Sequence, residues 1–198
     1  DAEDPSQRDR IPNNFANSLT IQVGGSTKLH GLEFESGIAL TEKLDAQLNV
    51  SWQDNKNTDL QSRSSIQTNG GFINLKGLKT LRYPSVMGNL STTYTDTFNN
   101  TWDWYARADF TYSGSYYADP DNLVKGPDWL VTNARIGLSR EDLRIEFFVR
   151  NLFQETAWQT VFQGAHFQHH SFNFGGFRGA NVSPQEKRTF GLRTNITF

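Results

Sequence analysis

Leu143-Arg144-Ile145-Glu146-Phe147-Phe148-Val149-Arg150-Asn151-Leu152-Phe153 alternates with a period of two. One set of positions reads Leu143, Ile145, Phe147, Val149, Asn151 and Phe153; the other reads Arg144, Glu146, Phe148, Arg150 and Leu152. Successive side chains on a strand point to opposite faces, so this segment, extended, is apolar on one side and charged on the other. The test succeeds at 102–112, where Trp102, Trp104, Ala106, Ala108, Phe110 and Tyr112 oppose Asp103, Tyr105, Arg107, Asp109 and Thr111. It succeeds again at 32–40, 44–53, 130–138 and 190–198, and more weakly at 86–94 and 18–24, the last with Leu19, Ile21 and Val23. Eight candidate strands result, and helical periodicity is nearly absent.

The connections predicted between them alternate in length. Short ones fall near 40–44, 95–101 and 139–142; long ones fall at 54–84, 113–128 and 154–187. An up-and-down antiparallel sheet puts all the short turns at one end and all the long loops at the other, which is the layout of an outer-membrane barrel. The connection near 25–28 is shorter than this scheme asks.

Composition narrows the choice. In 198 residues there are 19 Lys plus Arg against 21 Asp plus Glu, a net charge of −2, which offers no electrostatic case for nucleic acid. The absence of Cys removes disulfide scaffolds, thiol catalysis and Cys-type zinc sites. Hydrophobic residues make up only 36%, yet 13% are aromatic, and mean hydropathy is −0.61. No run approaches the ~18 apolar residues of a membrane helix, but a membrane barrel needs only every second residue to be apolar. The chain opens on Asp1 and its single Met is Met87, as expected of a mature protein, an excised segment or a truncated gene.

Alternation alone does not say which face is inside. A soluble barrel buries its apolar face, whereas a membrane barrel turns it to lipid. Three features favour the membrane. Charges of both signs sit on the polar faces; the rings Trp52, Tyr94, Trp102, Trp104, Tyr112 and Phe153 collect near strand ends, as interfacial girdles do; and the chain ends within a strand, on Phe198. The expected fold is therefore all-β: an antiparallel up-and-down transmembrane β-barrel segment of about eight strands, with short periplasmic turns and long extracellular loops.

The tail Lys187-Arg188-Thr189-Phe190-Gly191-Leu192-Arg193-Thr194-Asn195-Ile196-Thr197-Phe198 resembles the terminal strand of bacterial outer-membrane proteins, with Thr189, Gly191, Ile196 and Phe198 on the pattern. Val149-Arg150-Asn151-Leu152-Phe153 resembles the V-x-N-L-F segment of TonB-dependent receptors, and Gly31-Leu32-Glu33-Phe34-Glu35 their recurring G-x-E-x-E strand start. The order and spacing of these elements resemble the C-terminal β-barrel portion of that family over 18–198, with 1–17 as an extracellular loop or N-terminal remnant. The resemblance implies a bacterial outer-membrane location, and roughly a third of a 22-stranded plugged barrel. It implies partners in outer-membrane lipid and in the barrel-assembly machinery, which would read Gly191, Ile196 and Phe198. It further implies contact with TonB only through an N-terminal region, plug included, that has no counterpart here. The parent would take up a bulky, scarce ligand (a siderophore, haem, a cobalamin or an oligosaccharide), and this segment alone would not be transport-competent. Two alternatives stay open: a self-closed eight-stranded outer-membrane protein with a structural or adhesive role, and a soluble β-barrel binding a small ligand.

Candidate functional residues form two groups. Arg107, Asp109, Arg135, Arg144, Glu146, Arg150 and Arg193 lie on polar strand faces and are expected to face the lumen. The 154–187 connection holds Trp158, Phe162, His166, His169, His170 and Arg178, expected to contact ligand because aromatic loops on rigid scaffolds often bind. The bland reading is that its rings pack the loop over the barrel mouth. His166-x-x-His169-His170 has imidazoles able to ligate a transition metal, but it lacks the Glu and helix of a metalloprotease motif, and no metal or other cofactor is assigned. Gly175-Gly176-Phe177-Arg178-Gly179 does not join a strand to a helix, so it does not read as a phosphate loop. No nucleophile–base order or paired carboxylates stand out, so no catalytic residue is assigned and the protein is not expected to be an enzyme.

Overall fold

The computed structural model describes residues 25–62, 73–165 and 178–197. Its centre is a seven-stranded antiparallel sheet of β1 (Ser26–Ala39), β2 (Leu44–Asp59), β5 (Val86–Phe98), β6 (Trp102–Ser113), β9 (Trp129–Arg140), β10 (Leu143–Arg150) and β13 (Thr189–Ile196). Each strand lies beside its predecessor in the chain, in the order β1-β2-β5-β6-β9-β10-β13. Three small hairpins occupy the long connections: β3 (Gln61–Ser62) with β4 (Ile73–Asn74), β7 (Tyr116–Tyr117) with β8 (Lys125–Gly126), and β11 (Trp158–Ala165) with β12 (Arg178–Pro184).

Seven of the eight predicted strands appear in this sheet; 18–24 lies outside the described residues, as do 1–17 and Phe198. Three strands exceed their predicted bounds by four residues or more, one of them β5, which runs to Phe98 and not to 94. β1 begins at Ser26 and not at 32, and β2 continues to Asp59 and not to 53, because Lys28↔Lys56 to Gly31↔Gln53 pair although His30, Asp54 and Lys56 break the apolar run. β10 stops at Arg150, short of the predicted 153. Asn151 takes a left-handed conformation there (φ 50°), which a short amide side chain tolerates better than most and which ends the strand. The 154–187 connection, read as loop, contains the β11–β12 hairpin.

Turn chemistry supports the short connections. Asn99 and Asn100 both have positive φ (51° and 52°), the geometry a tight hairpin needs and Asn accepts. Glu141 does the same (φ 49°) between the paired residues Arg140 and Leu143. In the first turn the Thr41 hydroxyl accepts from the backbone N–H groups of Lys43 and Leu44. The five longest strands run 12–16 residues, against a usual 5–6, and long enough to cross a bilayer at a tilt.

The distribution of exposure is inverted relative to a soluble sheet. Leu32 is 74% exposed, Leu192 is 70%, and Phe34, Ile38, Ile136, Phe147 and Phe190 are each exposed by more than two fifths. Most of the sheet's buried residues lie on the polar face, among them Asn55, Asn57, Ser91 and Glu146, with Thr132 and Val149 buried on the other. A soluble barrel would show the reverse. β1 and β13 stand at opposite edges of the sheet and are not paired with each other.

Candidate functional site

Cross-strand register brings the polar residues into rows. Arg107 on β6 lies directly opposite Arg135 on β9, a like-charge pairing that by itself destabilises a sheet. Asp109 resolves it. One of its oxygens accepts from Arg107 Nε (2.9 Å) and the other from Arg135 (3.1 Å), so one carboxylate bridges two guanidiniums. Thr93, opposite Arg107 on β5, completes the row.

The next row towards the short turns is Tyr105, Gly137, Glu146 and Arg193. Tyr105 lies across Gly137, where a Cβ would overlap its ring, and its hydroxyl donates to Glu146. The second Glu146 oxygen accepts from Arg193 (3.1 Å), and the Arg144 guanidinium sits 5.0 Å from the centre of the Tyr105 ring. Glu146, only 6% exposed, is thereby paired on both oxygens, as a buried carboxylate must be. The arrangement repeats one row away: Phe148 covers Gly191, and Arg150 and Arg193 approach its ring at 5.5 and 5.7 Å. Glycine under an aromatic ring is how a sheet seats a large side chain flat against its surface.

All seven residues read as polar-face candidates (Arg107, Asp109, Arg135, Arg144, Glu146, Arg150 and Arg193) share this one face. A concavity of about 750 Å³ opens on it, lined by Thr95, Tyr105, Arg107, Arg135, Arg144 and Glu146 among others. Charge is polarised across the wall: β9, β10 and β13 present four arginines and Glu146, whereas β1 presents Glu33 and Glu35.

At the long-loop end a second cluster forms. Tyr116 packs with Ala118, Val124 and Val161, and its hydroxyl accepts from the Val161 N–H (2.5 Å), joining the β7–β8 and β11–β12 hairpins. Asp119, fully buried, accepts from the backbone N–H groups of Asp121, Leu123 and Val124. Asn122 exchanges hydrogen bonds with the Lys79 backbone (2.7 and 3.1 Å), and Lys79 pairs with Asp54 at the top of β2. Arg82 lies 5.6 Å from the Phe162 ring.

Of the loop candidates, Trp158 is exposed on β11, Phe162 packs under Arg82, and Arg178 pairs with Ala165 in the β11–β12 ladder. His166, His169 and His170 lie outside the described residues, as does the Gly175–Phe177 stretch. Sequence reasoning missed Tyr105, Tyr116 and Asp119 as site residues, and read Asn151 only as part of the V-x-N-L-F segment. Tyr105 was within reach, since it alternates with the charged residues of β6; the others act through loop backbone, which has no period to read. Of the terminal-strand residues, Gly191 and Ile196 lie in β13.

Residues 3–152 match the family model described as "TonB dependent receptor-like, beta-barrel". No curated protein matches the chain. Among solved structures, the siderophore receptor PiuA from Acinetobacter baumannii superposes with a TM-score of 0.64 at 18% identity, over 87% of this chain and 22% of that one. The ferric preacinetobactin receptor BauA, also from Acinetobacter baumannii, gives 0.63 at 14% identity over 87% and 22%. The ferric yersiniabactin uptake receptor FyuA from Yersinia pestis gives 0.69 at 16% identity over 90% and 25%. At these identities the likeness is one of fold, and the chain spans about a quarter of those receptors' length at most.

Proposed function

The chain belongs to the TonB-dependent receptor β-barrel family, whose barrels reside in the bacterial outer membrane, and from that premise we propose that it is a C-terminal wall of a receptor that takes up a bulky, scarce ligand, a ferric chelate before haem, a cobalamin or an oligosaccharide. The observation that carries the reading is the inverted sheet. Its apolar face is exposed, and its polar face concentrates arginines around Asp109 and Glu146.

In this reading the apolar face meets lipid. Trp102 and Tyr112 stand ten residues apart on the outward side of β6; at ~3.3 Å per residue and a tilt of ~40° that is a height of ~25 Å, the apolar band of an outer-membrane barrel. Tyr94, Trp102 and Trp104 form the girdle at the short-turn end, and Trp52, Tyr112 and Phe153 the girdle at the loop end. Short turns then face the periplasm and the three hairpins face outside. Gly191 and Ile196, with Phe198, serve as the assembly signal, and TonB acts through a part of the receptor other than this wall. The ferric-chelate preference is supported by the receptors with which the fold superposes.

Uptake tests it. Cells carrying or lacking the complete gene are starved of iron and offered radiolabelled ferric chelates, haem, cobalamin and maltooligosaccharides, each with and without a functional TonB. We expect gene- and TonB-dependent accumulation of a ferric chelate. Accumulation confined to another class would overturn the ligand assignment, and accumulation indifferent to TonB would overturn the receptor role.

A further inference from the structure

We propose that Lys28 and Lys56 form an anion site that holds the phosphate of an outer-leaflet lipid headgroup against the outward side of the barrel. The two are direct cross-strand partners at the top of β1 and β2. They share the outward side with Leu32 and Trp52, and both are exposed. Like charges directly opposite one another in a sheet repel, and neither lysine has an ion-pair partner among the described residues. Asp54, the outward carboxylate one pair further down, is occupied by Lys79, with His30 at 3.9 Å.

The position selects the occupant. Lys56 lies four residues beyond Trp52, which is ~13 Å along the strand and ~10 Å along the membrane normal at the same tilt. The ammonium groups thus stand at headgroup level above the ring girdle, on stems that reach back along apolar surface. Below them the exposed side chains of Leu32, Phe34, Val50 and Trp52 offer a continuous apolar track for acyl chains, which a soluble anion would not use. Their inward neighbours fix the pair in place: Asn55 accepts from the Thr80 N–H (2.6 Å) and Asn57 from the Thr27 hydroxyl (3.0 Å). Lysine pairs bind phosphate as point charges, without the planar geometry that arginine demands.

The full-length receptor is purified in detergent and offered a bisphosphorylated glycolipid, the same lipid dephosphorylated, and inorganic phosphate, with retained ligand measured by native mass spectrometry. We expect retention of the phosphorylated lipid only. K28Q/K56Q lowers it by about thirty-fold, given the worth of two lysines at a lipid surface. K28R/K56R preserves it, and K43Q, at the opposite end of the barrel, leaves it unchanged. Heat-modifiable electrophoretic mobility shows that each variant is folded. Equal retention by K28Q/K56Q, or retention indifferent to lipid phosphate, overturns the site; binding of inorganic phosphate without the lipid overturns the assignment of its source.

Discussion

Along β6 and β9 the backbone is paired continuously, from Asp103↔Ser139 to Ser113↔Trp129. In the 114–128 connection, by contrast, one side chain does the organising: the Asp119 carboxylate gathers three backbone N–H groups, and Tyr116 ties the hairpin to its neighbour. The sheet is held by repetition, so the loss of one side chain is shared among many ladder bonds. The outer cluster is held by a few single residues, each of which satisfies buried backbone that nothing else reaches. The two regions should therefore answer mutation differently, the sheet to changes of face and the outer cluster to changes of one atom.

The largest effect should come from placing a charge on the wrong face. Phe147 is outward and Ser139 inward. Phe147→Arg should cost about 2–4 kcal/mol, the price of a guanidinium near the bilayer midplane, while Ser139→Arg should cost less than about 1 kcal/mol. Urea unfolding of the receptor in lipid vesicles measures both, and equal costs would break the assignment of the two faces to different solvents.

Next comes the joint between the regions. Asn151 is 2% exposed and its side chain accepts from the Glu155 N–H (2.7 Å) and donates to the carbonyls of Glu155 (2.9 Å) and Glu186 (2.7 Å). It thus pins the end of β10 to the approach to β13. Asn151→Ala should cost about 1–3 kcal/mol through the unpaired backbone groups alone. Hydrogen exchange should rise around 151–155 and 186 and leave the β6–β9 ladder protected; a loss spread evenly over the sheet would show that the joint belongs to the wall. A smaller change separates the hairpins. Tyr116→Phe keeps the ring against Ala118 and Val161 but removes the hydroxyl that accepts from the Val161 N–H, for about 0.5–1.5 kcal/mol. Exchange should quicken at Val161 first, and an unaltered Val161 would show that ring packing alone joins the two.

This contrast also explains how much could be read beforehand. The sheet was legible because a half-buried strand writes its environment into every second residue: Leu143, Ile145, Phe147 and Val149 against Arg144, Glu146 and Arg150 needed no partner to be interpreted. The inner arginines were legible for the same reason. What alternation does not encode is which acid serves which base, so the bridging of Arg107 and Arg135 by Asp109 emerged only from the register. The upper halves of β1 and β2 were missed because His30, Asp54 and Lys56 interrupt the apolar pattern above the girdle. The outer cluster was not legible: Tyr116 meets Val161 from 45 positions away, and Asp119 in Asp-Pro-Asp-Asn reads as an ordinary turn.

The smallest predicted effect lies at the opposite end from the outer cluster, in the 40–43 turn. Lys43 donates to Asp96 at 2.8 Å, and the hydrogen bond to that carboxylate raises the lysine pKa above its ordinary value. A raised pKa means that the folded protein holds the proton more tightly. On the alkaline side the pair's contribution is therefore complete below the unfolded lysine value and lost as pH climbs through the folded one; on the acid side it is lost as pH falls through the lowered pKa of Asp96. Nothing should change between neutral and mildly alkaline pH. Both side chains are open to water, where screening and side-chain entropy cancel most of the attraction. Lys43→Gln should accordingly leave the unfolding midpoint indistinguishable from wild type at physiological salt, with any difference growing only as salt is withdrawn. Asp109, by contrast, lies between Arg107 and Arg135 with 17% of its side chain exposed, so Asp109→Asn should lower the midpoint visibly at every salt concentration. If Lys43→Gln proved the more damaging of the two, the turn and not the wall would be the end at which ion pairing sets stability.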